Sequence, residues 1–180
     1  MSRQNLLSQL KVYKAHHPQE TDTASKLIEF VELHADCFER SLLIGHITSS
    51  AWVVNKTGTR ALLTHHKKLG RWLQLGGHTD GDTDTFQSAL REVEEESGLS
   101  SLKLARHGIF DVDIHAIPAR RNEPEHFHYD IRYAFQTEGS EDYVVSEESH
   151  DLAWVQITNL ATYTEEESIL RMARKWTKAS

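Results

Sequence analysis

The segment from Gly77 to Leu99 constrains the chain most, because it combines helical periodicity with a dense group of acidic residues. A helix turns about 100° per residue, which places Glu92, Glu95 and Glu96 within one arc of roughly 100°. One side of the predicted helix therefore gathers three carboxylates. The other side is apolar and is expected to face the core, through Phe86, Leu90 and Val93.

Three carboxylates on one helix face repel one another unless something compensates their charge. Like charges three or four residues apart destabilise a helix by about 0.2–0.5 kcal/mol per pair, and Glu92 has two such neighbours. Mg²⁺ takes carboxylate oxygens and keeps several waters that a phosphate can replace. The residues alone leave two interpretations open, a metal site and a solvated acidic face.

The spacing around this helix resembles the signature of the Nudix hydrolase superfamily. That signature places Gly, Arg-Glu, an aliphatic residue, Glu-Glu, Gly and an aliphatic residue at fixed intervals. The matching positions are Gly77, Arg91-Glu92-Val93, Glu95-Glu96 and Gly98-Leu99. The resemblance implies an α/β/α sandwich with a mixed sheet. It also implies a metal-dependent hydrolase that cleaves the diphosphate linkage of a nucleoside diphosphate joined to another group.

The resemblance also implies roles for individual residues. Arg91 would orient the carboxylates of the helix by ion pairing, so that Arg91 and Glu95 are its expected catalytic residues. The expected cofactor is Mg²⁺ or Mn²⁺. Its expected ligands are the Gly76 carbonyl and the carboxylates of Glu92, Glu95 and Glu96.

A loop beyond the helix is expected to supply one more glutamate. Members of the superfamily often draw a metal ligand or general base from such a loop, and residues 146–149 (SEES) occupy that place before a predicted strand. We expect Glu148 to act as the catalytic base, with Glu147 as the alternative. A solvated loop position is the interpretation that requires no function.

Thr83 stands where the signature has its first glutamate, which is usually an accessory to the metal site. Its loss bears on the number or affinity of the metals, and we expect Asp80, Asp82 or Asp84 to replace it. Asp82 or Asp84 is also expected to cap the helix, because aspartate is a preferred N-cap. Gly98 fits the C′ position at which the helix ends.

Composition argues against membrane insertion and general binding to nucleic acid. No apolar run approaches the ~20 residues needed to cross a membrane, and the first residues lack the apolar core of a secretory signal. The single cysteine, Cys37, rules out a disulfide framework, so a cytoplasmic protein is expected. The net charge of −7 opposes binding to duplex nucleic acid, which relies on basic surface.

The expected substrate is a small phosphorylated compound, in the first place a nucleotide. Such a ligand needs only a local basic patch in addition to the metal. The candidate patches, which are equally well explained as solubilising hairpin tips, are Lys67, Lys68 and Arg71, and Arg120-Arg121. The side chains expected to bind substrate are Arg71, His78 and His128.

Two predicted helices precede the signature. Residues 3–15 and 22–34 carry apolar side chains at helical spacing and are separated by Pro18. They form an expected N-terminal helical extension over residues 1–40. This extension packs either on the main domain, residues 41–180, or on a partner subunit in a homodimer.

After residue 41 the apolar period becomes that of strands, and residues 55–58 (NKTG) predict a hairpin turn. A last helix is expected from about Thr164, with Thr164 and Glu167 as a capping box. Together these elements predict a mixed α+β fold, in agreement with the sandwich that the resemblance implies. The predicted strands are 47–54, 60–66, 71–75, 102–104, 110–117, 126–135 and 152–157.

Polar and apolar residues alternate in the predicted strand 126–135. We expect its polar face to line the substrate cleft, although alternation describes any half-exposed strand. Histidine and aspartate at this spacing can also bind a transition metal. The polar face carries His126, His128, Asp130 and Arg132; further histidines of this kind are His65, His66 and His78.

Two rival functions fit the same fold. Isopentenyl-diphosphate isomerases have a catalytic cysteine in a Cys-Gly-His step, where this chain has Gly76-Gly77-His78, and Cys37 lies far upstream. A non-catalytic nucleotide-binding or regulatory module is the second rival, favoured only by Thr83. Nothing in the sequence selects among ADP-ribose, dinucleoside polyphosphates, nucleotide sugars, oxidised nucleotides and non-nucleotide diphosphates.

Overall fold

The structure, a computed structural model, describes residues 2–120 and 124–178, which contain both helices and strands. No helix in these residues is long and apolar enough to cross a membrane. The α-helices are α1 (Arg3–His16), α2 (Thr21–Leu33), α3 (Thr85–Ser97) and α4 (Glu167–Lys178), and 3₁₀ helices span Pro18–Glu20 and Ile157–Thr162. The strands are β1 (Gly45–Val54), β2 (Arg60–His66), β3 (Arg71–Leu73), β4 (Leu75–His78), β5 (Leu102–Leu104), β6 (Asp111–Ile117), β7 (His126–Thr137) and β8 (Ser149–Gln156).

The strands follow the hydrogen-bonded order β3-β2-β1-β7-β5, while β4 pairs with β1, β6 with β7 and β8 with β2. The predicted mixed α+β fold is thereby confirmed. Contacts divide the chain into two units. The first unit comprises Met1–Ser50, Gly77–Ala89 and His107–Tyr133, and the second comprises Ala51–Gly76, Leu90–Arg106 and Ala134–Ser180.

In the first unit, the N-terminal helices pack on the strands of that unit. Helix α1 packs on α2, and α2 packs on β6. The Phe30 ring stacks on Tyr129, with ring centroids 3.7 Å apart. Strands β6 and β7 run antiparallel, so that Asp111 lies opposite Arg132. The buried apolar side chains of these two helices include Leu6, Leu10, Leu27 and Val31.

In the second unit, β2 is the central strand and pairs with β1, β3 and β8, all antiparallel. The predicted turn at 55–58 is confirmed: the Asn55 side chain accepts the backbone N–H groups of Thr59 and Arg60 at 2.9 and 3.0 Å. The Trp176 indole donates to the Gly58 carbonyl at 2.8 Å, which attaches α4 to this turn.

Two predicted boundaries are wrong. The expected strand 71–75 is divided into β3 and β4, which pair with different neighbours. Helix α4 begins at Glu167 rather than near Thr164. The Thr164 hydroxyl accepts the backbone N–H of Glu166 at 3.2 Å, so the expected capping box is replaced by a local turn before the helix.

The predicted ends of α3 are confirmed. Asp84 caps its start, because its carboxylate accepts the backbone N–H of Gln87 at 3.2 Å. Gly98 ends the helix with a left-handed φ of 73°, and its N–H donates to the Glu94 carbonyl at 2.8 Å. These caps fix where the acidic residues of α3 fall along the helix.

Candidate active site

Glu96 is the most buried acidic residue of α3, with 7% of its surface exposed. Its Oε1 atom accepts the backbone N–H of Gly76 at 2.7 Å. Gly76 has a φ of 151°, which side-chain-bearing residues rarely adopt, so glycine is required for this approach. The predicted metal ligands Gly76 and Glu96 therefore lie in contact within the second unit.

Charge repulsion links four glutamates in this region. Burial, with a further contribution from the charges of Glu92, Glu148 and Glu95, raises the pKa of Glu96 to about 8, although the hydrogen bond from the Gly76 N–H acts in the opposite direction. Burial also raises the pKa of Glu92, where Glu95 and Glu148 add to the effect. We call Glu92, Glu95, Glu96 and Glu148 the carboxylate cluster.

Arg91 lies on the exposed side of this cluster. Its Nη2 atom is 3.1 Å from Glu92 Oε1, and its Nε atom is 3.7 Å from Glu95 Oε1. The exposed fraction of the side chain is 16% for Glu92 but 61% for Glu95. Of the three predicted helix ligands, Glu92 and Glu96 thus face inward, whereas Glu95 lies at the solvent edge.

The loop that carries Glu147 and Glu148 is attached to the end of β2. The Lys67 backbone N–H donates to the Glu148 carbonyl at 3.0 Å, and Lys67 Nζ donates to the Glu147 carbonyl at 2.7 Å. Glu148 acts electrostatically on both Glu92 and Glu96. This electrostatic effect favours Glu148 over Glu147 as the fourth carboxylate.

The donor chemistry of the carboxylate cluster fits a hard divalent cation. Carboxylate oxygens are the ligands that Mg²⁺ prefers. The pKa of Glu96 is raised chiefly by burial and further by its glutamate neighbours, so the ionised form is disfavoured without a bound cation. A bound dication would restore the ionised form of Glu96 and offset the repulsion.

The three aspartates near Thr83 each have a local partner in the first unit. Arg40 forms an ion pair with Asp80, with Nη2 and Oδ2 2.8 Å apart. The Asp82 carboxylate accepts the backbone N–H of Asp84 at 2.8 Å, and Asp84 caps α3. These contacts favour structural roles for all three aspartates.

The residues of the predicted basic patches lie in different surroundings. Arg71 is exposed and forms an ion pair with Glu166, with Nη1 and Oε1 2.6 Å apart. Arg120 is exposed, and Arg121 lies outside the described residues. Lys67 is the basic residue that the structure attaches to the Glu148 loop.

The expectation that the polar face of β7 lines a cleft is wrong for Asp130 and Arg132. Both residues are buried, with 1% and 2% of their surface exposed. The Arg132 guanidinium contacts Asp130 at 2.7 Å, Asp111 at 3.1 Å and Asp113 at 3.3 Å. We call these four residues the Arg132 network.

Hydroxyl groups complete the Arg132 network. Thr48 and Ser50 on β1 donate to Asp130 at 3.0 and 2.8 Å. Burial alone would lower the pKa of Arg132, but the surrounding aspartates more than offset it, and the pKa is raised. The network is therefore a buried ion-pair network in the first unit. Its polar residues alternate with buried apolar ones because both faces of β7 are covered in this part of the strand.

The predicted substrate residues His78 and His128 lie together in the first unit, with ring centroids 5.0 Å apart. His46, at the start of β1, is 5.0 Å from each of them. Burial, together with the charges of neighbouring histidines, lowers the pKa of His78 to about 4 and that of His128 to about 2; Arg40 adds to the effect at His78. The predicted grouping of His78 with His65 and His66 is replaced by this one, since His65 stacks on Trp72 in the second unit.

His46 was not among the predicted site residues. The register between β6 and β7, which brings its neighbours together, was also not predicted. Polar residues recur at every second position in both strands, and in the structure Asp111 lies opposite Arg132, Asp113 opposite Asp130 and His115 opposite His128. Two strands with the same polar period reveal such pairs only once their register is known.

Comparison with known proteins gives a family match over most of the chain. A family model described as NUDIX domain matches residues 45–176. None of the curated proteins matches the chain in sequence.

Solved structures also share the fold. An Ap4A hydrolase of C. elegans in a binary complex is 17% identical with a TM-score of 0.60, over 73% of this chain and 95% of that chain. A NUDIX family hydrolase of Clostridium perfringens is 25% identical with a TM-score of 0.57, over 75% and 98%. The E. coli dihydroneopterin triphosphate pyrophosphohydrolase is 14% identical with a TM-score of 0.56, over 74% and 96%.

Proposed function

Because the chain belongs to the NUDIX domain family and is a pyrophosphohydrolase of that family, we propose that it cleaves the diphosphate linkage of a nucleoside diphosphate joined to another group. We further propose that the reaction requires Mg²⁺ or Mn²⁺. The observation that carries this proposal is the carboxylate cluster, in which burial and mutual repulsion raise the pKa of Glu96 to about 8.

Glu92, Glu96 and the Gly76 carbonyl would hold the cation, with Glu95 at the solvent edge. When bound, a divalent cation neutralises phosphate charge and makes a water easier to deprotonate. The Gly76 N–H fixes the Glu96 carboxylate, and Arg91 holds Glu92 and Glu95 in place. Because these contacts already restrict the ligand side chains, less conformational freedom is lost when the cation binds.

We assign proton transfer to Glu148. Its carboxylate would accept the proton of the water that attacks the phosphorus atom, as a general base does. The backbone N–H and the ammonium group of Lys67, which donate to the Glu148 and Glu147 carbonyls, hold the backbone of the loop in place. Contact of the substrate with Arg71, His78 and His128 stays a prediction.

The substrates of two structural neighbours support the proposed class of substrate, a compound with a diphosphate linkage. Ap4A and dihydroneopterin triphosphate, on which two of the structural neighbours act, both contain phosphoanhydride linkages. The isomerase alternative is disfavoured, because Cys37 is fully buried and burial raises the pKa of its thiol to about 11. Such a thiol is scarcely ionised at neutral pH.

A substrate panel tests the proposal. Purified protein with Mg²⁺ or Mn²⁺ is incubated with ADP-ribose, Ap4A, a nucleotide sugar, an oxidised nucleotide, dihydroneopterin triphosphate and a non-nucleotide diphosphate, and products are identified by ³¹P NMR. We expect two phosphate-bearing products from a nucleoside diphosphate derivative. Nucleotide binding without turnover of any compound would instead indicate the non-catalytic module.

A further inference from the structure

A second cluster of metal-binding side chains lies in the first unit, and it consists of imidazoles rather than carboxylates. Five histidine rings from β1, β4, β6 and β7 form a continuous chain of contacts, with neighbouring centroids 5.0–5.4 Å apart. We call this group the imidazole cluster. Its members are His46, His78, His115, His126 and His128.

Three of these rings converge on one point. His46, His78 and His128 each offer a ring nitrogen, and the three nitrogens lie within 4.8 Å of one another. Tetrahedral zinc with Zn–N bonds of about 2.1 Å requires nitrogens about 3.4 Å apart. Closure of the nitrogen–nitrogen distances by up to about 1.4 Å, within reach of small side-chain rotations, would complete a three-histidine site.

His46 supplies a second, independent indication of a ligand. Only 4% of its surface is exposed, yet neither ring nitrogen makes a hydrogen bond within the described residues. The Leu42 carbonyl is close enough to favour the protonated ring, but not in the geometry of a hydrogen bond. A buried polar ring without a hydrogen bond is costly unless another ligand satisfies it.

Hydrogen bonds around His128 orient its ring. His126 Nδ1 lies 2.9 Å from the Pro124 carbonyl, so this nitrogen must carry the hydrogen. His126 Nε2 is then an acceptor for His128 Nε2–H at 3.3 Å. The Nδ1 atom of a neutral His128 therefore keeps its lone pair, in the manner of a ligand oriented by an outer hydrogen bond.

We propose that His46, His78 and His128 bind one divalent transition-metal cation of the borderline class, represented by Zn²⁺. Imidazole suits this class, whereas the oxygen ligands of the carboxylate cluster suit Mg²⁺ and Mn²⁺. Three protein ligands leave the fourth tetrahedral position open to water or to an anionic group. The site is additional to the cation of the proposed hydrolysis and uses none of its ligands.

Calorimetric titration of chelator-treated protein with Zn²⁺ tests this site. We expect one Zn²⁺ per chain with Kd below about 1 μM, and a visible absorption band typical of tetrahedral nitrogen ligands when Co²⁺ replaces Zn²⁺. His46→Gln should weaken Zn²⁺ binding by about 100-fold or more. His107→Gln, at an exposed histidine outside the cluster, is the matched control and should bind as the wild type does.

Two further variants allow the zinc site to be tested even if His46→Gln does not fold, and separately from the proposed hydrolysis. If His46→Gln fails to fold by circular dichroism, His128→Gln takes its place with the same expected loss. Glu96→Gln should bind Zn²⁺ normally even if it abolishes hydrolysis, which separates this proposal from the proposed function. Absence of Zn²⁺ binding in the wild type, or undiminished binding in the folded histidine variants, would overturn the assignment.

Discussion

The protein contains two clusters of carboxylates that differ in how their charge is compensated. In the Arg132 network, three aspartates surround one buried guanidinium and two hydroxyl groups donate to Asp130. In the carboxylate cluster, Arg91 forms ion pairs with Glu92 and Glu95, and its side chain is partly exposed. A buried carboxylate that is paired within the chain is costly to leave without its partner, whereas carboxylates that lack a buried cationic partner are suited to an exchangeable cation.

The largest expected effect comes from neutralising Glu96 in the carboxylate cluster. Glu96→Gln keeps the shape of the side chain and removes the charge that we assign to the metal. We expect turnover to fall by a factor on the order of 10³ at saturating Mg²⁺, since the cation supplies several kcal/mol of stabilisation. Glu94→Gln, at an exposed position of the same helix, is the control and should keep full activity.

Thermal stability distinguishes this variant from one that merely disrupts the fold. The raised pKa of Glu96 means that the metal-free folded state loses stability as pH rises from about 4.5 to about 8. Glu96→Gln removes that loss, so its metal-free melting temperature at pH 8 should not fall. A large drop in melting temperature would show that Glu96 is mainly structural.

Removing the guanidinium of the Arg132 network should, by contrast, lower the stability of the fold. Arg132→Met leaves Asp111, Asp113 and Asp130 without their charge partner and should cost about 3–5 kcal/mol of folding free energy. This corresponds to a drop in melting temperature of roughly 6–20 °C. Arg40→Met, which breaks the exposed pair with Asp80, should cost less than about 1 kcal/mol. Equal losses in the two variants would contradict the distinction.

The comparison also explains which parts of the protein could be predicted. The face of α3 that carries Glu92 and Glu96 depends only on helical periodicity, and Asp84 and Gly98 mark the ends of that helix. Glu148 was placed by its position in the superfamily pattern. These features are local in sequence, so a single segment was sufficient to predict them.

The Arg132 network and the imidazole cluster depend instead on the register between separate strands. Asp111 and Arg132 meet only because β6 and β7 pair at that register, and His46 comes from a third strand. Polar alternation in β7 therefore suggested a solvated face, while both faces are in fact covered near Asp130. Register between distant strands cannot be deduced from one strand's pattern.

Substitution of Glu148 tests the proposed general base of the carboxylate cluster. Glu148→Gln should lower kcat by about 100-fold with little change in KM or in the Mg²⁺ requirement, because a general base acts in the chemical step. Glu147→Gln is the matched control and should retain wild-type kcat. The reverse pattern in steady-state kinetics would move the base to Glu147.

The smallest effect is expected at Thr83. Because Asp80, Asp82 and Asp84 have local partners, we now expect Thr83→Glu to lower the Mg²⁺ concentration for half-maximal activity, by roughly twofold to fivefold, through an added ligand charge. Metal titrations of this variant and of the three Asp→Asn variants provide the measurement. A higher Mg²⁺ requirement in one Asp→Asn variant would restore that aspartate as the replacement ligand.

Thermal unfolding with and without Mg²⁺ tests most directly whether the carboxylate cluster binds a divalent cation. A ligand present at 100 times its Kd stabilises the folded state by about 2.7 kcal/mol, or roughly 5–11 °C in a chain of this size. The wild type and Arg40→Met should show that rise, and Glu96→Gln should lose most of it. An equal rise in Glu96→Gln, or none in the wild type, would contradict the assignment of the cation to this cluster.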